Sequence, residues 1–142
     1  MKIMFICTGN ICRSAMAEKL LKKKLKERKI ENVEVYSSGV SAYDGEISTW
    51  EAKTVMMDEY GIDMSEHRAT NIRNSKIKEM DLVLCATSRH KRDVLPMYPS
   101  LEGKVFTMKE YVKLDREGQD MDIKDPWGYN LSIYKSCAKE IV

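Results

Sequence analysis

The apolar run Lys2-Ile3-Met4-Phe5-Ile6 ends in Cys7-Thr8-Gly9-Asn10-Ile11-Cys12-Arg13-Ser14. From there the chain passes without a spacer into Ala15-Met16-Ala17-Glu18-Lys19-Leu20-Leu21, whose apolar residues recur at helical spacing. This feature constrains the fold more than any other, because a strand must feed a tight loop and the loop must open a helix. The unpaired N–H groups and positive dipole end of that helix favour an anion held in the loop. The same field favours the thiolate form of Cys7, and Arg13 carries a planar fork able to grip two oxygens of one anion. Gly9 and Asn10 tolerate left-handed backbone angles, as a loop that turns its N–H groups inward requires.

The remaining periodicity alternates between the two regular structures. Val33 to Ser37 reads as a second strand, followed by a loop holding Gly39, Tyr43, Asp44 and Gly45. A helix is expected from near Ser48, with Ser48 or Thr49 as its cap, to Glu59, before Gly61. Met80 to Ala86 is a continuous apolar run suited to a strand buried on both faces. Ser88 is expected to cap a helix reaching about Leu95 and ended by Pro96 and Pro99. A fourth strand is expected over Lys104 to Met108, and a closing helix over Asn130 to Val142. Strands alternating with helices imply a parallel sheet with right-handed crossovers and helices on both faces, with ligands bound beyond the strand C-termini.

Within 142 residues and without an internal repeat or long linker, this pattern reads as a single domain over 1–142. Basic and acidic residues, 24 against 22, nearly cancel, so no global field draws the chain to nucleic acid or an anionic membrane. The basic run Lys22-Lys23-Lys24 reads as a solvated helix face. No apolar stretch approaches a membrane span, and the four cysteines, Cys7, Cys12, Cys85 and Cys137, lack the density of a disulfide scaffold. The expectation is a cytoplasmic protein with reduced thiols. With two histidines and no paired cysteines at ligand spacing, neither metal nor other cofactor is expected.

Late in the chain, Asp125-Pro126-Trp127-Gly128 forms a rigidly shaped turn, because Pro126 fixes φ and Gly128 permits a bend. The Cys-x5-Arg-Ser loop, together with this Asp-Pro-aromatic turn, resembles the signature of the low-molecular-weight protein tyrosine phosphatases. Gly61-Ile62-Asp63-Met64-Ser65-Glu66-His67 matches further. The resemblance implies a flavodoxin-like three-layer α/β fold with four parallel strands. It implies that Cys7 is the nucleophile, that Arg13 and the loop Thr8 to Ser14 bind the phosphate, and that Asp125 is the general acid. It implies that no metal is needed.

The same resemblance implies a buried supporting network of Asn10, Ser14, Ser37 and His67, the choice between Ser37 and Ser38 being open. It makes Tyr43 and Trp127 walls for a flat leaving group; Trp50 reads as packing its helix onto the sheet. Gly128 before Tyr129 departs from members with two adjacent aromatics. Cys12 is expected to trap an oxidised Cys7 as a disulfide. Cys85 and Cys137 read as packing residues. The implied partners are a phosphotyrosine-containing protein or peptide and inorganic phosphate, as product and competitive ligand.

Protein arginine phosphatases are similar but typically carry threonine where this loop has Ile11, which tilts the expectation toward phosphotyrosine. Arsenate reductases on this scaffold need a further mobile cysteine pair, which Cys85 alone does not supply. A non-catalytic anion-binding or redox-sensing module is the alternative from another class. Asp125 speaks against it, since a carboxylate facing a phosphate dianion hinders binding unless it serves as an acid.

Overall fold

Along β1 (Lys2–Cys7) the side chains divide by the period of two that a pleated strand imposes. Phe5 and Cys7 enter one apolar cluster with Ala15, Met16, Leu20, Val55 and Met56, while Met4 and Ile6 enter another with Ile72, Ile77, Val94 and Leu101. A strand with both faces covered lies inside a sheet. β1 does so, pairing in parallel with β2 (Glu34–Gly39) on one side and β3 (Leu82–Cys85) on the other. β4 (Val105–Thr107) extends the sheet to the order β2-β1-β3-β4, all parallel. The computed structural model describes residues 1–108. The expected Asp125 to Gly128 turn, Trp127, Tyr129, Cys137 and the closing helix lie outside the described residues.

Helix α1 (Arg13–Glu27) and helix α2 (Trp50–Tyr60) supply the first cluster, and α3 (Ser88–Met97) supplies the second, so the sheet has helices on both faces as expected. The Thr49 side chain caps α2 by accepting from the N–H of Ala52, and Gly61 closes it at φ 66, a left-handed angle that glycine takes without strain. Lys22, Lys23 and Lys24 face solvent, and Cys85 is fully buried in β3.

Two helix expectations are corrected. The cap of α3 is Thr87 rather than Ser88, its hydroxyl accepting from the N–H of His90 at 3.2 Å. Pro96 does not end that helix but sits inside its last turn. Proline's φ suits a helix, and this position forfeits one backbone hydrogen bond near an end that is closed anyway by the N–H of Tyr98 on the carbonyl of Val94. Strand bounds also shift: β2 continues to Gly39, two residues beyond the expected Ser37, because it keeps pairing with β1 up to Cys7. β3 and β4 are shorter at both ends than their apolar runs.

Candidate active site

Registry places the site. Phe5 pairs with Ser37 and Cys7 with Gly39, so β1 and β2 end level and deliver Cys7 and Ser37 to one edge of the sheet. The chain then turns through Thr8 to Cys12 into α1. Asn10 takes φ 56, the left-handed angle expected for it.

Hydrogen bonds from outside the loop take up its carbonyls one after another. Val40 N–H donates to Cys7 O at 3.0 Å, Ser41 N–H to Thr8 O at 2.9 Å, and His67 Nε2 to Asn10 O at 2.7 Å. Thr49 N–H donates to Ile11 O at 3.2 Å, and Met16 N–H to Cys12 O at 2.7 Å as α1 begins. All peptide bonds among the described residues are trans. In a trans peptide the N–H points away from the carbonyl. Turning these carbonyls outward therefore aims the N–H groups of Thr8, Gly9, Ile11, Cys12 and Arg13 the other way, into the concavity, which makes an anion nest.

Cys7 Sγ lies in this loop 2.9 Å from Ser14 Oγ, and the N–H of Asn10 donates to the sulfur at 3.3 Å. The Ser14 hydroxyl also accepts from Asn10 Nδ2 at 2.9 Å. Its single proton has two acceptors in range, the sulfur and the more distant Ser38 carbonyl at 3.4 Å, so the geometry favours donation to sulfur.

Every polar group of Asn10 is engaged. Nδ2 donates to Ser14 and, at 2.8 Å, to Ser37 Oγ, while Oδ1 accepts from the N–H of Thr70 at 2.9 Å. The network expected of Asn10, Ser14, Ser37 and His67 is thus assembled, with Ser37 rather than Ser38 supplying the hydroxyl. His67 carries its proton on Nε2, since a carbonyl can only accept. Burial pushes its pKa below 6.5, with the Asn10 carbonyl and the Glu18 charge pulling the other way.

Three participants escaped the sequence reading. Glu18 is 7% exposed, and its Oε1 accepts from Ser37 Oγ at 2.5 Å while Oε2 takes Lys22 Nζ at 2.6 Å. Burial pushes its pKa up, but the hydrogen bonds from Lys22 and Ser37 and the charges of Lys22 and Lys19 outweigh burial and hold it below 4.5. Gly39 is the second. A Cβ there would lie 2.5 Å from the Thr8 carbonyl oxygen and 2.9 Å from the Asn10 nitrogen, so only glycine lets β2 approach the loop this closely. The third, His90, joins the loop from α3 through Thr8, with Nε2 2.8 Å from the threonine hydroxyl.

Glu18→Gln keeps the volume and removes the charge. Because the Lys22 side chain is 47% exposed and screened, the expected cost is about 1–2 kcal/mol, or roughly 3–6 °C in Tm. A carboxylate with a depressed folded pKa contributes stability above its unfolded pKa and loses it as pH falls through the folded value. The Tm gap between parent and variant should therefore be full above pH 4.5 and close on acidification below it. A gap unchanged in acid would assign the cost to packing instead.

Around the mouth, Tyr43 is 78% exposed and Trp50 64%. The expectation that Trp50 packs its helix onto the sheet is therefore corrected. α2 buries Ala52, Val55 and Met56, and Trp50 lies about 160° around the helix from Ala52 at 100° per residue, on the outer side with Met57. Since Thr49 N–H is bonded to Ile11 O, the fold sets Trp50 beside the loop rim. The Tyr43 segment is held by Asp44, whose Oδ1 accepts from Asn71 N–H at 2.7 Å, and by Gly45 N–H on Ala69 O at 2.9 Å. Cys7 and Cys12 are both buried. Among the described residues no cluster of three metal-ligating side chains forms, and no helix is long and apolar enough to cross a membrane.

Residues 2–142 match the profile of the low molecular weight phosphotyrosine protein phosphatases. The chain is 36% identical over 140 residues to a protein-arginine-phosphatase of Geobacillus stearothermophilus, covering 99% of this chain and 88% of that one. It is 37% identical over 135 residues to a probable low molecular weight protein-tyrosine-phosphatase of Ralstonia solanacearum, covering 95% and 84%. The solved low molecular weight protein tyrosine phosphatase from T. tengcongensis superposes with a TM-score of 0.89 at 42% identity, covering 99% of this chain and 92% of that structure.

Proposed function

The chain belongs to the low molecular weight phosphotyrosine protein phosphatase family, and we propose that it hydrolyses protein phosphotyrosine through a phosphocysteine intermediate on Cys7. The observation that carries this reading is the loop itself. Its carbonyls are taken up by hydrogen bonds from outside, which leaves its N–H groups to face the side of Cys7 Sγ, a sulfur that receives a hydrogen bond from the Asn10 N–H and lies 2.9 Å from the Ser14 hydroxyl. Cys7 Sγ attacks phosphorus as the phenolic oxygen leaves with a proton from Asp125. Arg13 and the loop N–H groups hold the equatorial oxygens as charge builds on them. Ser14 donates to the sulfur as it departs. Asp125 then takes a proton from the water that releases phosphate, which makes inorganic phosphate a product and a competitive ligand. Cys7 acts as a reduced thiol, in keeping with a cytoplasmic site of action, and a Cys7 to Cys12 disulfide protects it from further oxidation.

Tyr43, Trp50 and, in the turn outside the described residues, Trp127 form the walls against which a phenol ring stacks. Ile11 offers that ring an apolar contact and offers no hydroxyl to a guanidino group. A second reading, phosphoarginine as substrate, draws on the arginine phosphatase among the relatives. The test is kcat/KM on matched phosphotyrosine and phosphoarginine peptides with Cys7→Ser as the blank. A preference for phosphotyrosine is expected; the reverse preference keeps the mechanism and replaces the substrate.

A further inference from the structure

His90 belongs to no motif, yet it is 4% exposed in the first turn of α3 with both ring nitrogens engaged. Nδ1 lies 3.0 Å from Thr87 Oγ1, and Nε2 lies 2.8 Å from Thr8 Oγ1. Thr8 follows the nucleophile and is exposed, and Arg13 Nη2 donates to the same hydroxyl at 3.5 Å. A continuous chain of hydrogen bonds thus runs from the end of β3 through Thr87, His90 and Thr8 to the Arg13 guanidinium. The strand order makes the β1–β3 seam the point where successive connections leave in opposite directions, and the Thr8–His90 bond spans that seam at the C-terminal edge of the sheet.

An exposed threonine hydroxyl has three staggered positions about χ1. In the structure one hydroxyl position meets both Arg13 Nη2 and the buried imidazole, so the imidazole holds the hydroxyl where Arg13 reaches it. The hydroxyl can accept from Arg13 and still meet the ring nitrogen as donor or acceptor, so either neutral tautomer of His90 satisfies the contact.

We propose that His90 is a positioning residue for the phosphate-binding loop, acting through the Thr8 hydroxyl to hold the Arg13 guanidinium ready for the anion. The proposal rests on reading this loop as a phosphate site. Neutral hydrogen bonds of this kind set an effect of about fivefold.

The test uses the full chain and inorganic phosphate, with Kd from calorimetry, kcat and KM on an aryl phosphate, and Tm. His90→Asn keeps a polar atom near the Nδ1 position, facing Thr87, and loses the reach to Thr8; His90→Gln keeps a nitrogen near the Nε2 position. His90→Asn and Thr8→Val are each expected to weaken phosphate about fivefold, with a larger change in KM than in kcat. Their double variant should be no weaker than either single, and His90→Gln should stay within about twofold of the parent. Additive losses in the double variant, His90→Gln as weak as His90→Asn, or a change confined to Tm would overturn the proposal and leave His90 as support for α3 alone. Failure of the underlying reading looks different: the parent itself would bind no phosphate or show no Cys7-dependent turnover.

Discussion

Cys7→Ser is expected to lower kcat/KM on a phosphotyrosine peptide or an aryl phosphate by on the order of 10⁴-fold or more while inorganic phosphate still binds. The asymmetry follows from where the two functions reside. Attack on phosphorus needs a good nucleophile, and a cysteine sulfur is intrinsically far more nucleophilic than a serine hydroxyl. Binding needs the inward N–H groups and Arg13, none of which the substitution touches. The Ser14 hydroxyl, 2.9 Å from Sγ, and the Asn10 N–H remain as donors to the smaller oxygen. Single-turnover kinetics alongside calorimetric phosphate binding separate the two functions. Turnover near the parent rate would remove Cys7 as nucleophile, whereas loss of turnover together with loss of binding would point to collapse of the loop.

The local geometry that lies close together along the chain was legible in the sequence, because a cysteine, an arginine and a helix start at fixed offsets leave one arrangement of the loop. The alternation of strands and helices likewise implied the parallel sheet. What escaped was assembled by topology. Glu18 reads as a polar residue of an amphipathic helix, and only the pairing that brings Ser37 level with Phe5 turns it into the anchor of the Asn10 network. Gly39 has no left-handed angle to betray it; its need is space, since a Cβ would strike the Thr8 carbonyl. His90 reaches the loop across a strand seam, a relation without a sequence period.

Trp50 was misread for a different reason. Aromatic residues usually bury, but the apolar stripe of α2 through Ala52, Val55 and Met56 already excluded Trp50 from the core.

Asp125→Ala is expected to slow hydrolysis of phosphotyrosine peptide by about 100-fold or more, the scale of general acid catalysis. The size of the loss should depend on the substrate, and that dependence distinguishes an acid from a residue that merely shapes the turn before Pro126. A phenolate with a high pKa leaves poorly unless it is protonated, so its phosphate ester bears the full loss. A leaving group already stable as an anion, such as a nitrophenolate, needs little help and should lose much less in the phosphorylation step. Asp125→Asn keeps the shape and cannot donate a carboxylic proton, so it should follow Asp125→Ala and lack the basic limb that deprotonation of a general acid imposes on the pH profile of kcat/KM. Rates measured across a series of aryl phosphates would then show a steeper dependence on leaving-group pKa in both variants than in the parent. An equal loss on every ester, or an asparagine variant as fast as the parent, would assign Asp125 to the turn and require the proton to come from elsewhere.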